Sequence, residues 1–217
     1  MSRPDEATLL RQPDPDQRDP LAWFSQRRSI RRFTADPVPP ALLEACLEAA
    51  GWAPSAHNRQ PWRFALLRNW AVKERLALAM GARLRADLAA DGLEPAAIER
   101  DASRSYQRLT SAPALILLCL TMADMDPYPD ARRQRNEHLM AVQSAAMAGQ
   151  NLMLAAHALG LGACWLCAPL FCPDVVVATL ALPAEWQPQG LIALGYPAER
   201  RARGREPVAS RLLEIAD

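Results

Sequence analysis

Long hydrophobic runs are missing from this chain. No stretch of eighteen or more uncharged apolar residues occurs, so no segment reads as a membrane span. The first twenty residues, MSRPDEATLLRQPDPDQRDP, are charged and proline-rich and have no apolar segment of the secretory kind. Residues 1 to 18 therefore read as a flexible arm, residues 19 to 217 as one domain, and the protein as cytoplasmic. Charge of one sign is missing too. A formal net charge of +1 over 217 residues argues against broad electrostatic capture of nucleic acid or of a membrane surface. Histidine is scarce: His57, His138 and His157 are the only three, and none sits in a GxSxG or HExxH frame. No hydrolytic constellation emerges. Five cysteines include one CxxC, Cys164 and Cys167, with Cys172 beyond it. A second CxxC is absent and the flanks resemble a buried strand, so reduced, packed thiols are the expectation and no metal is assigned.

Half of the residues are hydrophobic, enough for one substantial core. Asp19-Pro20 opens a short helix through Trp23 and Phe24. Ala41 to Trp52 has apolar Leu42, Leu43, Cys46, Leu47 and Ala50 on one helical face. Trp62 to Leu67 reads as a strand, Ala71 to Met80 as a short helix, and Arg83 to Leu109 as charged helix broken near Asp91-Gly92 and Pro95. The run ALILLCL, Ala114 to Leu120, predicts a central strand, and Asp124 to Asn136 an exposed loop. His138 to Leu159 is the longest helix and is apolar nearly all round, which predicts burial, in part by another subunit. Gly160-Leu161-Gly162 ends it. The order helix, glycine, strand is the reverse of a dinucleotide-binding turn. Strands over Gly162 to Cys167 and Gln189 to Leu194 bracket a helix over Pro173 to Leu180.

Two features carry chemistry. The first is the loop Ala53 to Phe64, APSAHNRQPWRF, with two prolines and five hydrogen-bonding side chains (Ser55, His57, Asn58, Arg59, Gln60). Pro54 and Pro61 bias Ala53 and Gln60 toward extended backbone and stiffen the loop. Its donors suit a flat heterocycle rimmed by carbonyls and ring nitrogens, such as a flavin; a solvated connector with turn prolines has the same composition. His57 is the one histidine that qualifies as a site candidate, and His157 reads as a hydrogen-bonded core residue. The second feature is a pair of arginine sets: Arg27, Arg28, Arg31 and Arg32 near the start, Arg200, Arg201, Arg203 and Arg205 near the end. Either set alone suits solvated surface; together they suit a phosphate, with Ser29 as an added donor.

These residues resemble the FMN-dependent nitroreductase family. The resemblance rests on Arg27-Arg28-Ser29-Ile30-Arg31-Arg32-Phe33, Pro37-Val38, the helix with Leu43, Leu47 and Ala49-Ala50, and the run Ala53 to Trp62. Gly160-Leu161-Gly162 and Gly195-Tyr196-Pro197 add to it. It implies an α+β fold with a central, mainly antiparallel sheet flanked by helices, in an intertwined homodimer with FMN at the interface. It further implies that Arg27, Arg28, Ser29 and Arg31 hold phosphate and ribityl chain and that Arg203 and Arg205 close on the phosphate. Pro54, Ser55, Ala56 and Asn58 would come from the partner and line the ring, Gln60 joins the cofactor-binding set, and Cys167 and Ala168 would supply a backbone donor at the flavin N5 edge. The implied activity is hydride transfer from NAD(P)H through FMN to a nitroaromatic, quinone or other conjugated small molecule. Arg104-Ser105-Tyr106, Tyr128-Pro129-Asp130-Ala131-Arg132-Arg133, Gln150-Asn151-Leu152, Cys164-Trp165 and Leu182 to Trp186 resemble the flavin domain that reduces a dehydro precursor of the deazaflavin coenzyme. That reaction, and flavin binding without turnover, are the alternatives.

Overall fold

The computed structural model describes residues 20–200, 202 and 204–215. The arm expected over residues 1–18 lies outside them, as do Arg201 and Arg203. Ten helices and strands follow in chain order: α1 (Pro20–Gln26), α2 (Pro40–Gly51), β1 (Trp62–Leu67), α3 (Trp70–Ala90), α4 (Pro95–Thr110), β2 (Ala114–Leu120), α5 (Ala131–Ala158), β3 (Gly162–Leu166), α6 (Pro173–Leu180) and β4 (Gln187–Gly195). The strands form one sheet in the order β1-β2-β4-β3, with every neighbouring pair antiparallel.

ALILLCL is buried along its whole length because helices cover both faces of the sheet. The period of two sorts its side chains. Ala114, Ile116, Leu118 and Leu120 join a core built with α2 and α5, through Leu42, Leu43, Cys46, Ala145, Ala148 and Leu152. Leu115, Leu117 and Cys119 join a second core with Leu76, Ala77 and Met80 of α3, Leu109 of α4 and Val176 of α6. Antiparallel pairing extends through Pro188, which sits where the β2–β4 register shifts at Leu118/Cys119. A strand proline is tolerated at such an irregularity.

Two helix boundaries differ from the sequence reading by more than a turn. α3 runs on to Ala90 and does not stop at Met80: Gly81 is buried inside it, and one interior glycine does not end a helix that packs along its length. The break expected near Asp91-Gly92 and Pro95 is present, at residues 91–94. α5 begins at Ala131, inside the expected loop, because the Asp130 carboxylate accepts the Arg133 N–H at 2.9 Å and caps the helix.

The chain leaves α5 through a Schellman turn: Leu161 N donates to Ala156 O at 2.8 Å, Gly160 N donates to His157 O at 3.1 Å, and Gly160 has φ +75°. Gly162 then meets Ile30. A Cβ on Gly162 would stand 2.8 Å from Ile30 Cβ, so its absence lets the arginine segment lie against the sheet edge. Ile30 N donates to Ala163 O at 3.0 Å, and Ser29 bridges Ala163 in parallel.

Candidate functional site

The segment after α1 is stitched between β3 and the chain that follows β4. Thr34 N donates to Tyr196 O at 2.9 Å and Ala198 N donates to Arg32 O at 3.0 Å. Glu199 adds a side-chain tie, its Oε1 accepting from Arg31 N at 2.8 Å and Arg32 N at 3.2 Å. Residues 168 positions apart are thus fixed together, and the segment carrying the first arginine set is held beside Glu199, the residue before Arg200.

A cavity of about 570 Å³ opens there. Arg27, Arg28, His157, Gly160, Glu199 and Arg200 are among its lining residues. Burial, then Arg205, then Arg28, push the Arg27 guanidinium below its ordinary value, with a small opposing pull from Cys164. Arg27 thus feels two further guanidinium groups, and among the described residues lining the cavity Glu199 is the one carboxylate. Arg28 spends its Nη1 on the carbonyls of Ser25 and Arg27, while its Nε is buried with no partner. The Nε2 of His157 is likewise buried with no partner. Buried orphans of this kind each cost about 1–3 kcal/mol.

The other expected residues fall in separate places. Ser29 is half-buried on the β3 edge. Arg31 turns its Nη1 toward Ser29 O at 3.4 Å. Arg205 is exposed, with Nη1 3.3 Å from Gly204 O. Arg203 lies outside the described residues. Cys167 is exposed at the far end of β3, followed by the 3₁₀ turn Ala168–Phe171.

The loop before β1 is more contorted than its prolines suggested. Ser55 and Ala56 are half-buried, while Pro54, Asn58 and Gln60 are exposed. His57, Asn58 and Gln60 have φ of 51°, 55° and 51°. Gln60 was expected to be extended; it is left-handed because its N–H reaches back to Ser55 Oγ at 3.1 Å and its Nε2 to Asn58 Oδ1 at 3.2 Å. Ala56 N donates to Ser144 Oγ of α5 at 3.2 Å, and Arg59 pairs with Asp126. Side chains other than glycine in this region cost about 1–3 kcal/mol each and gather at functional loops.

This loop and the arginine corner are far apart within one chain. The loop precedes Trp62, level with Leu120 of β2 and Gln187 of β4, whereas Ala163 is level with Leu194 and Ala114. Four strand spacings across and about six residues along separate them, on the order of 25 Å diagonally.

The thiols sort by burial. Cys46, Cys119, Cys164 and Cys172 are buried, and burial pushes Cys46 and Cys119 each up to about 12. Native protein at pH 8 is expected to show one fast-reacting thiol per chain in an Ellman titration, lost in Cys167→Ser. Four fast thiols would mean that the packing around β2 and β3 is not as described. Among the described residues, no group of three or more metal-ligating side chains gathers, and no helix is long and apolar enough to cross a membrane.

The sequence model of the nitroreductase family matches residues 24–196. The chain belongs to the nitroreductase family. Relatives within reach of this nitroreductase-family chain include a Thermus thermophilus protein named NADH dehydrogenase, 33% identical over 198 residues, covering 80% of this chain and 84% of that one. A Rhodospirillum rubrum protein named 5,6-dimethylbenzimidazole synthase is also 33% identical, over 195 residues and 86% of each chain. Among solved structures, a Desulfovibrio desulfuricans nitroreductase in complex with FMN shares 30% identity and superposes with a TM-score of 0.70, covering 95% of this chain and 99% of the other. The antiparallel α+β architecture is the nitroreductase fold.

Proposed function

We propose that the protein is an FMN-dependent oxidoreductase that takes reducing equivalents from NAD(P)H and delivers them to a flat, conjugated acceptor such as a quinone or nitroaromatic. The observation that carries this reading is the corner where Arg27, Arg28 and Arg200 line one cavity, with two unpartnered buried nitrogens on Arg28 and His157 and with Arg205 near enough to act on Arg27. A phosphate monoester is the group that such a set binds best, by charge and by fork geometry. FMN supplies two-electron transfer when bound, and the protein's share is to hold, orient and shield it. Arg27, Arg28, Ser29 and Arg31 would hold phosphate and ribityl chain, joined by Arg205 and, from the undescribed residues, Arg203. From Ala163, beside the arginines, to Cys167 is four residues of extended chain, about 13 Å. That span suits a mononucleotide with its phosphate at one end of β3 and its ring near Cys167 and Ala168. The FMN-bound relative supports the same cofactor.

Pro54, Ser55, Ala56, Asn58 and Gln60 lead into β1, three strand spacings, about 14 Å, from the β3 line that would carry that ring in the same chain, which favours a homodimer in which each loop serves the partner's flavin. One open site used in turn by reductant and acceptor gives ping-pong kinetics. The purified protein is expected to be yellow or to become so with added FMN, and to bleach within seconds when NADH or NADPH is added without oxygen. A nitroaromatic, a quinone and a dehydro-deazaflavin then compete as acceptors. A protein that stays colourless with excess FMN overturns the flavin reading. Bound flavin that neither pyridine nucleotide bleaches overturns the enzymatic one and leaves a flavin carrier.

A further inference from the structure

His157 stands 129 residues from Arg28 in the chain, yet the two share the cavity wall and the same defect, a buried nitrogen with no partner. Its ring lies 5.3 Å from that of Trp23, tilted by 32°, and hydrogen-bonds the Trp23 backbone. Nε2 is the ring nitrogen left buried without a partner. The neighbours that face it bear one charge sign almost throughout. Arg27 and Arg28 come from the segment after α1, Arg205 stands behind Arg27, and Arg200 and Glu199 line the cavity from the chain after β4. Cys164 of β3 lies beside Arg27, and Trp23 of α1 contributes no charge.

We propose that His157 is a proton-coupled ligand of the bound phosphate monoester: neutral in the empty protein, it takes up a proton as the phosphate enters and donates from Nε2. The inference rests on the flavin reading above, and the ligand chemistry is a phosphate monoester, of FMN or of free inorganic phosphate. Burial, Arg27 and Arg28 hold the empty protein's His157 below its ordinary value, the Trp23 backbone bond opposing them. A dianion among the same arginines reverses the local field, so the bound-state value rises. Between the two values binding consumes up to one proton, and affinity climbs as pH falls through the bound-state value. The ligand's own second ionisation, near pH 6, works in the opposite sense. A difference between wild type and a His157 variant cancels it.

The test is titration of the apoprotein with FMN at pH 6.0, 7.0 and 8.5, by flavin fluorescence quenching and by calorimetry in two buffers of different ionisation enthalpy. Wild type is expected to take up more protons per FMN than His157→Gln near pH 6.5. The Gln variant is expected to bind about tenfold more weakly at pH 6.0, with a gap that narrows by pH 8.5. Riboflavin, which lacks the phosphate, shows no such gap, and inorganic phosphate competes for the same proton. Equal affinities and equal proton uptake in the two proteins overturn the proposal and leave flavin binding intact. No FMN binding at any pH overturns both. Imidazole carbon shifts of wild type provide a reading that needs no variant. A His157 that keeps its neutral shifts at pH 6.5 with FMN bound overturns the proposal.

Discussion

Arg27→Ala is expected to weaken FMN binding by about ten- to a hundredfold while leaving the empty protein as stable as before, or more so. One charge-assisted hydrogen bond to phosphate is worth about 1.5–3 kcal/mol, and 1.4 kcal/mol is a factor of ten in affinity. In the empty protein the same guanidinium works against the fold. It is drawn partly out of water beside Arg205 and Arg28, and its cationic form is disfavoured. Removal relieves desolvation and like-charge repulsion at once. This opposition is the mark of a binding residue, since a guanidinium that merely braced the corner would lower stability when lost. The check has two parts, a fluorescence titration of apoprotein with FMN and riboflavin, and a urea midpoint for each apoprotein. An unchanged FMN affinity with a lowered midpoint would make Arg27 a structural residue. Riboflavin affinity should fall far less than FMN affinity, because the lost partner is phosphate.

The sequence pattern carried the elements whose cause is local. Trp62–Leu67, Ala114–Leu120 and Pro173–Leu180 appear with the expected bounds because alternation, an unbroken apolar run and a Cys-Pro-Asp start each act within a few residues. Where neighbours decide, the pattern was silent. α3 was expected to end at Met80, yet it runs on through Gly81, a buried interior residue. Asp130 was legible as a cap only with its Arg133 N–H in view. Gln60, one residue before a proline, would be extended on its own, yet two bonds inside the loop hold it left-handed. The arginine sets were legible as clusters, but not Glu199, whose carboxylate ties the segment carrying the first set to the start of the second. His157 was read as a core residue. Its bond to the Trp23 backbone fits that reading; its orphaned Nε2 does not, and no spacing in the sequence marks it.

Met147→Glu is expected to yield a monomer without flavin. α5 was expected to be apolar nearly all round, and part of that surface stays uncovered here. Leu139 is 53% exposed and Met147 38%, on a stripe with Gln143, Ala146 and Gln150. The same helix spans the gap between the two halves of the proposed site. Ser144 holds the loop through Ala56 N, and His157 lines the arginine corner thirteen residues on, about 20 Å along the axis. In the proposed homodimer, an antiparallel contact of α5 with a second copy, centred near Gln150, would set the 144 end of one chain beside the 157 end of the other. A two-fold contact does this twice, making two equal sites from halves that one chain keeps apart. A glutamate at Met147 places two unpaired carboxylates in that seam, and burying them costs more than an interface of ordinary size returns. Sedimentation velocity at micromolar concentration should show the monomer, with flavin absorbance lost from the protein boundary. Leu78→Glu, at an exposed position of α3, serves as the control and should leave both unchanged. A Met147→Glu protein that remains dimeric and yellow would place α5 outside the contact, and the loop of residues 54–60 would then need another route to the flavin.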